Sequence, residues 1–227
     1  MQPITQKAMA PDIIKKVDDA GVIAVLVIDE VKHAMPVAKA LLAGGVSAIE
    51  LTLRTPVAWE AAKAIKDELP EITLGFGTVL TVEQVFNAAK VGADFAVAPG
   101  CNPRVIAAAQ DCGLSFAPGV VTPTDIEMAL EQGCRVLKYF PAETSGGMMH
   151  LTNMVAPYNY LNLKFIPLGG LNINNAANYI KSPLITAIGG SWIAKQEFIK
   201  GEQWTTITQN AKEISQLIRN IRSNKKD

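Results

Sequence analysis

Short apolar runs rich in β-branched residues alternate with longer amphipathic segments along this chain. Eight such runs start about 20 to 28 residues apart, which is the length of one strand plus one helix. The segments between them carry apolar residues at helical spacing and therefore predict helices. The runs are VIAVLVI from Val22, SAIELTL from Ser47, ITLGFGT from Ile72, DFAVAPG from Asp94, SFAPGV from Ser115, RVLKYF from Arg135, LKFIPLGG from Leu163 and LITAIGG from Leu184.

Residues typical of helix ends border the amphipathic segments. Thr81, Asn102 before Pro103, and Thr122 or Thr124 are plausible helix starts, because their side chains can accept a hydrogen bond from a free backbone N–H. Glycines stand where the helices should stop, at Gly44, Gly92, Gly113 and Gly133. The predicted helices include residues 31–43, 57–69, 82–91, 125–132 and a final helix over 203–222.

A parallel sheet with crossover helices accounts for this order of elements. Strands joined by single helices must run parallel, and eight units in about 200 residues predict a (β/α)8 TIM barrel. We expect one domain over residues 1–227, with residues 1–20 forming an extra helix across the lower end of the barrel. The alternative is an open doubly wound sheet, which should begin with a glycine-rich turn. The first strand is followed instead by Asp29-Glu30-Val31-Lys32, which contains no glycine.

Composition narrows the class of protein. The 227 residues include 21 Lys and Arg, 21 Asp and Glu, and 49% hydrophobic residues, so the formal net charge is zero. These values exclude a disordered chain and the basic excess of a nucleic-acid-binding protein. The longest apolar run, residues 20–28, is far shorter than the roughly 20 residues of a membrane span. The first twenty residues lack the apolar core of a signal peptide, so we expect a cytoplasmic location.

The cysteines agree with a reducing compartment. Cys101, Cys112 and Cys134 are odd in number and show none of the close spacings of a disulfide framework or a zinc site. His33 and His150 likewise have no partner near them in the sequence. We therefore predict reduced thiols, no metal site and no hydrolytic triad.

One face of the second predicted strand is polar. Ile49, Leu51 and Leu53 alternate with Glu50, Thr52 and Arg54. The apolar set should face the helices, so the polar set is expected to point into the barrel, near the strand ends where barrel active sites lie. The alternative is a buried Glu–Arg pair that only closes the interior.

A lysine lies near the end of the sixth predicted strand. Lys138 shares a face with Val136 and Phe140, and Pro141 ends the extended run. Burial disfavours the charged form of an amine, and a neutral amine is what attacks a carbonyl group. Lys138 is therefore a candidate Schiff-base nucleophile. The alternative is a lysine whose side chain reaches water at the strand end.

Paired glycines end the seventh and eighth predicted strands. Gly169-Gly170 and Gly189-Gly190 expose backbone N–H groups, and in many barrels these two loops bind a phosphate. Thr78 after the third strand and Pro99 after the fourth are expected to line the same mouth.

Two segments resemble the signature motifs of an enzyme family. GVSAIELTLR, residues 45–54, and GCRVLKYFPAE, residues 133–143, are similar to those of the class I aldolases acting on 2-keto-3-deoxy-6-phosphogluconate (KDPG) and 4-hydroxy-2-oxoglutarate (KHG). The similarity extends from about Val22 to Trp192. It includes Gly77-Thr78-Val79, residues 115–119, Gly169-Gly170 and residues 189–192.

The resemblance implies an activity and a role for each motif residue. The reaction is the cleavage of 2-dehydro-3-deoxy-6-phosphogluconate to pyruvate and glyceraldehyde 3-phosphate, and of KHG to pyruvate and glyoxylate, without metal or organic cofactor. Lys138 is the implied Schiff-base lysine and Glu50 the general acid/base. The implied substrate contacts are Arg54 and Thr78 at the carboxylate, Phe140 over the imine, and Gly169, Gly170, Gly190 and Ser191 at the phosphate. Family members are usually homotrimers.

Two positions depart from the family pattern. Tyr139 replaces the usual Leu or Phe and should face the helices, with little effect. Leu168 replaces a common Thr near the substrate's C4 hydroxyl, so the galactonate-derived epimer stays open as the main substrate.

Two other functions also stay open: a phosphosugar epimerase or isomerase, in which Lys138 only stabilises an enolate, and a catalytically silent sugar-phosphate-binding protein.

Overall fold

Parallel strands and helices alternate in the computed structural model, which describes residues 9–224. The strands are β1 (Val22–Leu26), β2 (Ala48–Thr52), β3 (Thr73–Gly77), β4 (Phe95–Val97), β5 (Ser115–Ala117), β6 (Gly119–Val120), β7 (Val136–Tyr139), β8 (Lys164–Pro167) and β9 (Ile188–Gly190). The helices are α1 (Pro11–Ala20), α2 (Ala34–Ala43), α3 (Ala58–Glu68), α4 (Val82–Val91), α5 (Pro103–Asp111), α6 (Pro123–Glu131), α7 (Gly147–Val155), α8 (Ile173–Ile180), α9 (Gln196–Lys200) and α10 (Trp204–Ser223). Residues 1–8 of the helix predicted over 1–20 lie outside the described part of the chain.

The strands form a curled α/β sheet. One part has the order β5-β4-β3-β2-β1-β9 and the other the order β6-β7-β8. Every strand pair in the described part of the chain is parallel, as predicted from the crossover helices. The chain passes directly from β5 to β6 through Pro118, which has no N–H to donate and divides the fifth predicted strand.

The predicted helix starts are confirmed. Thr81 accepts a hydrogen bond from Gln84 and Thr122 accepts one from Asp125, each within a capping box, while Asn102 caps α5 ahead of Pro103. All eight apolar runs contain a strand. The strand of the eighth run, β9, begins four residues after Leu184. The backbone N–H groups of Leu184 and Ile185 at the start of the run donate instead to Ser182, which forms a turn.

Apolar side chains form two clusters, one on each face of the sheet. The larger lies between strands and helices and includes Leu26, Ile49, Leu51 and Tyr139. The smaller occupies the inner face and joins Met9, Ile13 and Val17 to Ile23, Ala48, Phe95, Val136 and Ile166. Because side chains alternate along a strand, Glu50 and Lys138 share the inner face with Ala48 and Val136.

The three cysteines are free thiols, as predicted. Burial raises the pKa of the Cys101 thiol to about 11 and that of the Cys134 thiol to about 12, so both stay protonated at neutral pH.

Among residues 9–224, no helix is long and apolar enough to cross a bilayer.

Candidate active site

A buried ion pair joins β2 and β7 on the inner face of the sheet. The Nζ atom of Lys138 donates to Oε1 of Glu50 at 3.2 Å, and the two side chains are only 7% and 2% exposed. No described residue donates to the other oxygen of this carboxylate, Oε2, which is also buried. Lys138 is therefore held inside the molecule and does not reach water at the strand end.

The two charges come from strands that are not neighbours. Glu50 lies between Val25 of β1 and Gly75 of β3, whereas Lys138 lies beside Gly119 of β6. Their contact therefore crosses the inner face of the curled sheet. Removing a charge from water costs several kcal/mol, which this direct contact partly offsets. The pair places an amine and a proton carrier within one hydrogen bond of each other.

Gly77 makes room for the Glu50 carboxylate. A Cβ atom at position 77 would lie 1.8 Å from Oε1 of Glu50 and 2.6 Å from its Cδ atom. Any side chain at position 77 would therefore force the Glu50 carboxylate to shift. The sequence marks Gly77 only as part of a motif, because the neighbour that requires a glycine there belongs to another strand.

An aromatic ring lies beside the amine. Nζ of Lys138 is 5.4 Å from the centroid of the Phe140 ring, within the range of a cation–π contact. Phe140 is half-buried and packs against the inner cluster. Phe140 therefore borders the Lys138 amine on the inner face.

Arg54 differs from its predicted position. β2 ends at Thr52, and Arg54 lies in the turn that follows, where its backbone N–H donates to the Thr52 carbonyl at 2.8 Å. Its side chain is exposed. The strand predicted to include Arg54 extends too far, because the chain turns after Thr52 and Arg54 follows β2. Glu50 pairs with Lys138 and not with Arg54.

Thr78 and Pro99 follow the ends of β3 and β4. Thr78 has φ 63°, a left-handed conformation that costs a threonine about 1–3 kcal/mol and that often marks a functional site. Pro99 is half-buried, and its carbonyl oxygen approaches Gly119 so closely that a Cβ there would lie 2.2 Å away. Because Gly119 of β6 pairs with Lys138 of β7, only β6 separates Pro99 from the strand that carries the amine.

The first glycine pair leads into a helix. Gly169 and Gly170 have φ values of 94° and 83°, which favour glycine, and α8 begins at Ile173 with Asn172 as its cap. The side chain of Asn175 donates to the Gly170 carbonyl at 3.1 Å. The loop and the first turn of α8 therefore present backbone N–H groups of the kind that bind anions.

The second glycine pair lies at the end of β9. Gly190 is covered by the ring of Trp192, since a Cβ there would lie 1.6 Å from a ring carbon, and Ser191 is exposed.

Among the described residues, no group of three His, Cys, Asp or Glu side chains is placed to hold a metal ion.

Comparison with known proteins identifies the family. The family model described as KDPG and KHG aldolase matches residues 13–210. The chain belongs to the KDPG and KHG aldolase family. The 2-dehydro-3-deoxy-phosphogluconate aldolase of Treponema pallidum is 40% identical over 206 residues, covering 91% of this chain and 97% of that protein. The KHG/KDPG aldolase of Escherichia coli K12 is 35% identical over 192 residues, covering 85% of this chain and 89% of that protein.

A solved structure of the same family has the same fold. KDPG aldolase from Legionella pneumophila, with pyruvate captured at low pH as a covalent carbinolamine intermediate, superposes with a TM-score of 0.84 at 35% identity. The alignment covers 88% of this chain and 96% of that chain. The resemblance inferred from the two motifs is confirmed, and with it the prediction of an aldolase, a carbon–carbon lyase.

Tyr139, the residue after Lys138, faces away from the Lys138 amine. Tyr139 is fully buried among the helices, donates to the Gly147 carbonyl at 3.2 Å and stacks on His150. Its predicted orientation is confirmed. The nearby residues Glu143 and Tyr179 form a hydrogen bond that the sequence does not reveal, because it joins the turn after β7 to the distant helix α8.

Proposed function

We propose that this protein cleaves 2-dehydro-3-deoxy-6-phosphogluconate into pyruvate and glyceraldehyde 3-phosphate through an imine at Lys138. The buried contact between Lys138 and Glu50 carries the proposal, because it supplies a nucleophile and a proton carrier in one hydrogen bond. The names of the relatives support this substrate, and the E. coli relative supports KHG as a second one.

The first half of the reaction forms the imine. Glu50 accepts a proton from Nζ of Lys138, and the neutral amine adds to the C2 carbonyl of the substrate to give a carbinolamine. Glu50 then returns a proton to the C2 hydroxyl, which leaves as water. The product is a protonated imine, whose positive charge can accept the electrons of the bond that breaks next.

The second half breaks the C3–C4 bond. Oε2 of Glu50, which has no donor among the described residues, is available to remove the proton of the C4 hydroxyl. The C3–C4 electrons move into the imine, glyceraldehyde 3-phosphate leaves as an aldehyde, and an enamine remains on Lys138. Glu50 protonates the enamine carbon. Water then hydrolyses the imine and releases pyruvate and the free lysine.

The remaining candidate residues hold the two ends of the substrate. Arg54, in its turn at the end of β2, binds the carboxylate by a two-point contact, with Thr78 and Pro99 at the same mouth and Phe140 against the imine. The phosphate binds to backbone N–H groups of the two strand-end loops, at Gly169, Gly170, Gly190 and Ser191.

The proposed architecture is one closed barrel. The two parts of the sheet are joined through Pro118 on one side and, on the other, by a parallel bridge between Phe165 and Ile185. This supports closure into a (β/α)8 barrel formed by the single domain 1–227, with α1 across its lower end, where Ile13 and Val17 enter the inner cluster. The free thiols support a cytoplasmic location.

The function is tested by trapping the imine. The protein is incubated with pyruvate, reduced with borohydride, digested and analysed by mass spectrometry, and pyruvate release is followed with lactate dehydrogenase. The proposal requires an adduct on Lys138 and release of pyruvate from the phosphorylated substrate. Absence of any adduct would falsify the Schiff-base mechanism and favour an epimerase, an isomerase or a silent binding protein.

Leu168→Thr is expected to sharpen the preference for the gluconate-derived epimer. Leu168 belongs to the inner cluster and packs on Gly189, where a Cβ would lie 2.5 Å from its Cγ atom. A threonine hydroxyl in that place offers the C4 hydroxyl a hydrogen bond, which is expected to change the ratio of kcat/KM for the two epimers by about fivefold to tenfold. Leu171→Thr, in the outer cluster, is the matched control and should leave the ratio unchanged. An unchanged ratio in Leu168→Thr contradicts the assignment.

The proposed homotrimer is expected to need the surface around α4. Leu80, just before α4, and Phe86 within it each leave half of a large apolar side chain exposed. Phe86→Glu would place a charge in an interface formed there, and should convert the trimer into monomers in analytical ultracentrifugation. Met149→Glu changes a more exposed residue on α7 and should leave the mass unchanged. A wild-type monomer, or an unchanged mass for Phe86→Glu, contradicts this interface.

A further inference from the structure

The segment that follows the active-site lysine is hydrogen-bonded to the first glycine pair. The backbone N–H of Ala142 donates to the Leu168 carbonyl at 2.7 Å, and that of Glu143 donates to the Gly169 carbonyl at 3.0 Å. These two bonds continue the pairing of β7 with β8 beyond the strand ends. The nucleophile's strand and the proposed phosphate loop are therefore held side by side.

A buried tyrosine adds a side-chain connection to this segment. Tyr179 in α8 is 1% exposed, and its hydroxyl donates to Oε1 of Glu143. Burial and the bond to Glu143 both raise the pKa of Tyr179, so its hydroxyl keeps its proton and remains a donor throughout the neutral range. Glu143 is therefore bonded to α8 through its carboxylate and to the glycine loop through its backbone N–H.

The stem of Glu143 also packs against the loop. A Cβ at Gly170 would lie 2.6 Å from the Glu143 Cβ atom, so Glu143 contacts the Gly170 backbone directly. From the other side, Asn175 of α8 donates to the Gly170 carbonyl. The direction of the Gly170 peptide therefore depends on Glu143 and on α8 together.

We propose that Glu143 and Tyr179 are positioning residues that set the phosphate-binding geometry of Gly169 and Gly170. Through this loop they determine the preference for phosphorylated over unphosphorylated 2-keto acids. The inference rests on the proposed function. Neither residue touches the reacting atoms, since the Glu143 carboxylate is bonded to the helix layer. Loss of the pair therefore weakens the hold on the phosphate and leaves imine chemistry at Lys138 intact.

Tyr179→Phe tests the pair by removing only the hydroxyl. The KM for the phosphorylated substrate is expected to rise about fivefold to tenfold, the size of the contribution of one hydrogen bond. The kcat should stay within about twofold, and kcat/KM for KHG, which has no phosphate, should not change. Glu143→Gln keeps an oxygen acceptor for Tyr179, and should have a KM close to that of the wild type.

A second tyrosine–glutamate pair provides the control. Tyr158 donates to Glu127 at 2.8 Å on the surface, so Tyr158→Phe removes the same kind of bond elsewhere and should leave both substrates unaffected. Thermal unfolding of each variant verifies that it is folded. A Tyr179→Phe enzyme that loses kcat/KM equally for both substrates, or for neither, overturns the positioning role.

A binding measurement separates this inference from the proposed function. Inorganic phosphate is titrated into each protein by calorimetry, and Tyr179→Phe is expected to bind it about fivefold more weakly than the wild type. Failure of the proposed function would appear as a wild-type protein without pyruvate adduct or turnover. Equal phosphate affinity in the two proteins would overturn the inference even if the wild type is an active aldolase.

Discussion

Lys138→Met is expected to abolish the borohydride-trapped pyruvate adduct and to lower kcat by on the order of 10⁵-fold, because no other amine replaces the nucleophile. The variant also leaves the Glu50 carboxylate buried without its partner, which is expected to lower the free energy of unfolding by about 3–5 kcal/mol. Adduct formation is measured by mass spectrometry, kcat by the lactate dehydrogenase-coupled assay, and stability by urea unfolding.

Two further variants separate the loss of the amine from the loss of stability. Lys138→Arg keeps a positive charge for Glu50 but cannot form an imine, so it should recover stability without recovering activity. Lys164→Met removes an exposed lysine at the start of β8, whose Nζ donates to the Pro183 carbonyl. It should keep full adduct formation. Turnover by Lys138→Arg, or an adduct that survives in Lys138→Met, contradicts the assignment of the nucleophile.

Gly77→Ala is expected to lower kcat by about 10²- to 10³-fold, although it adds a single methyl group. The methyl carbon would lie 1.8 Å from Oε1 of Glu50, so the carboxylate must leave its place beside Lys138. Each proton transfer assigned to Glu50 then lacks its carrier. Stopped-flow measurement of imine formation with pyruvate and steady-state kcat both report this loss.

Gly100→Ala is the matched control for this change. Gly77 is the last residue of β3 and Gly100 follows the neighbouring strand β4, but a Cβ at position 100 would meet no atom within 4 Å. This variant should keep both kcat and stability. The packing of Gly77 against Glu50 is disproved if Gly77→Ala retains kcat within about threefold of the wild type, the size of a minor geometric change.

Much of the fold is readable from the pattern of apolar positions. The eight runs each contain a strand and the helices lie between them, because burying one face of every element imposes its period on the sequence. Helix starts at Thr81 and Thr122 are readable because a capping box is a local interaction. The division of β5 from β6 at Pro118 follows equally from a local property, the missing N–H of proline.

The candidate site is readable only in part. Glu50 and Lys138 stand out because each is a charge on an apolar strand, and a buried charge needs a chemical or structural reason. Arg54 shows the limit of the same argument. Alternation assigns it to the inner face, but the chain turns after Thr52, and the side chain is exposed. Leu53 and Arg54 are both acceptable strand residues, so the sequence limits the strand only at Pro56 and does not place the turn directly after Thr52.

The sequence by itself determined the family, the parallel α/β class and the residues that carry the candidate chemistry, because motifs, periodicity and caps depend on neighbours in the chain. Only the tertiary structure decided which of those residues meet. It paired Glu50 with Lys138 and not with Arg54, placed Gly77 under the carboxylate, and joined Glu143 to Tyr179. Each of these contacts joins residues from segments that are far apart in the chain. Their distances depend on how the sheet curls, which no local stretch of sequence encodes.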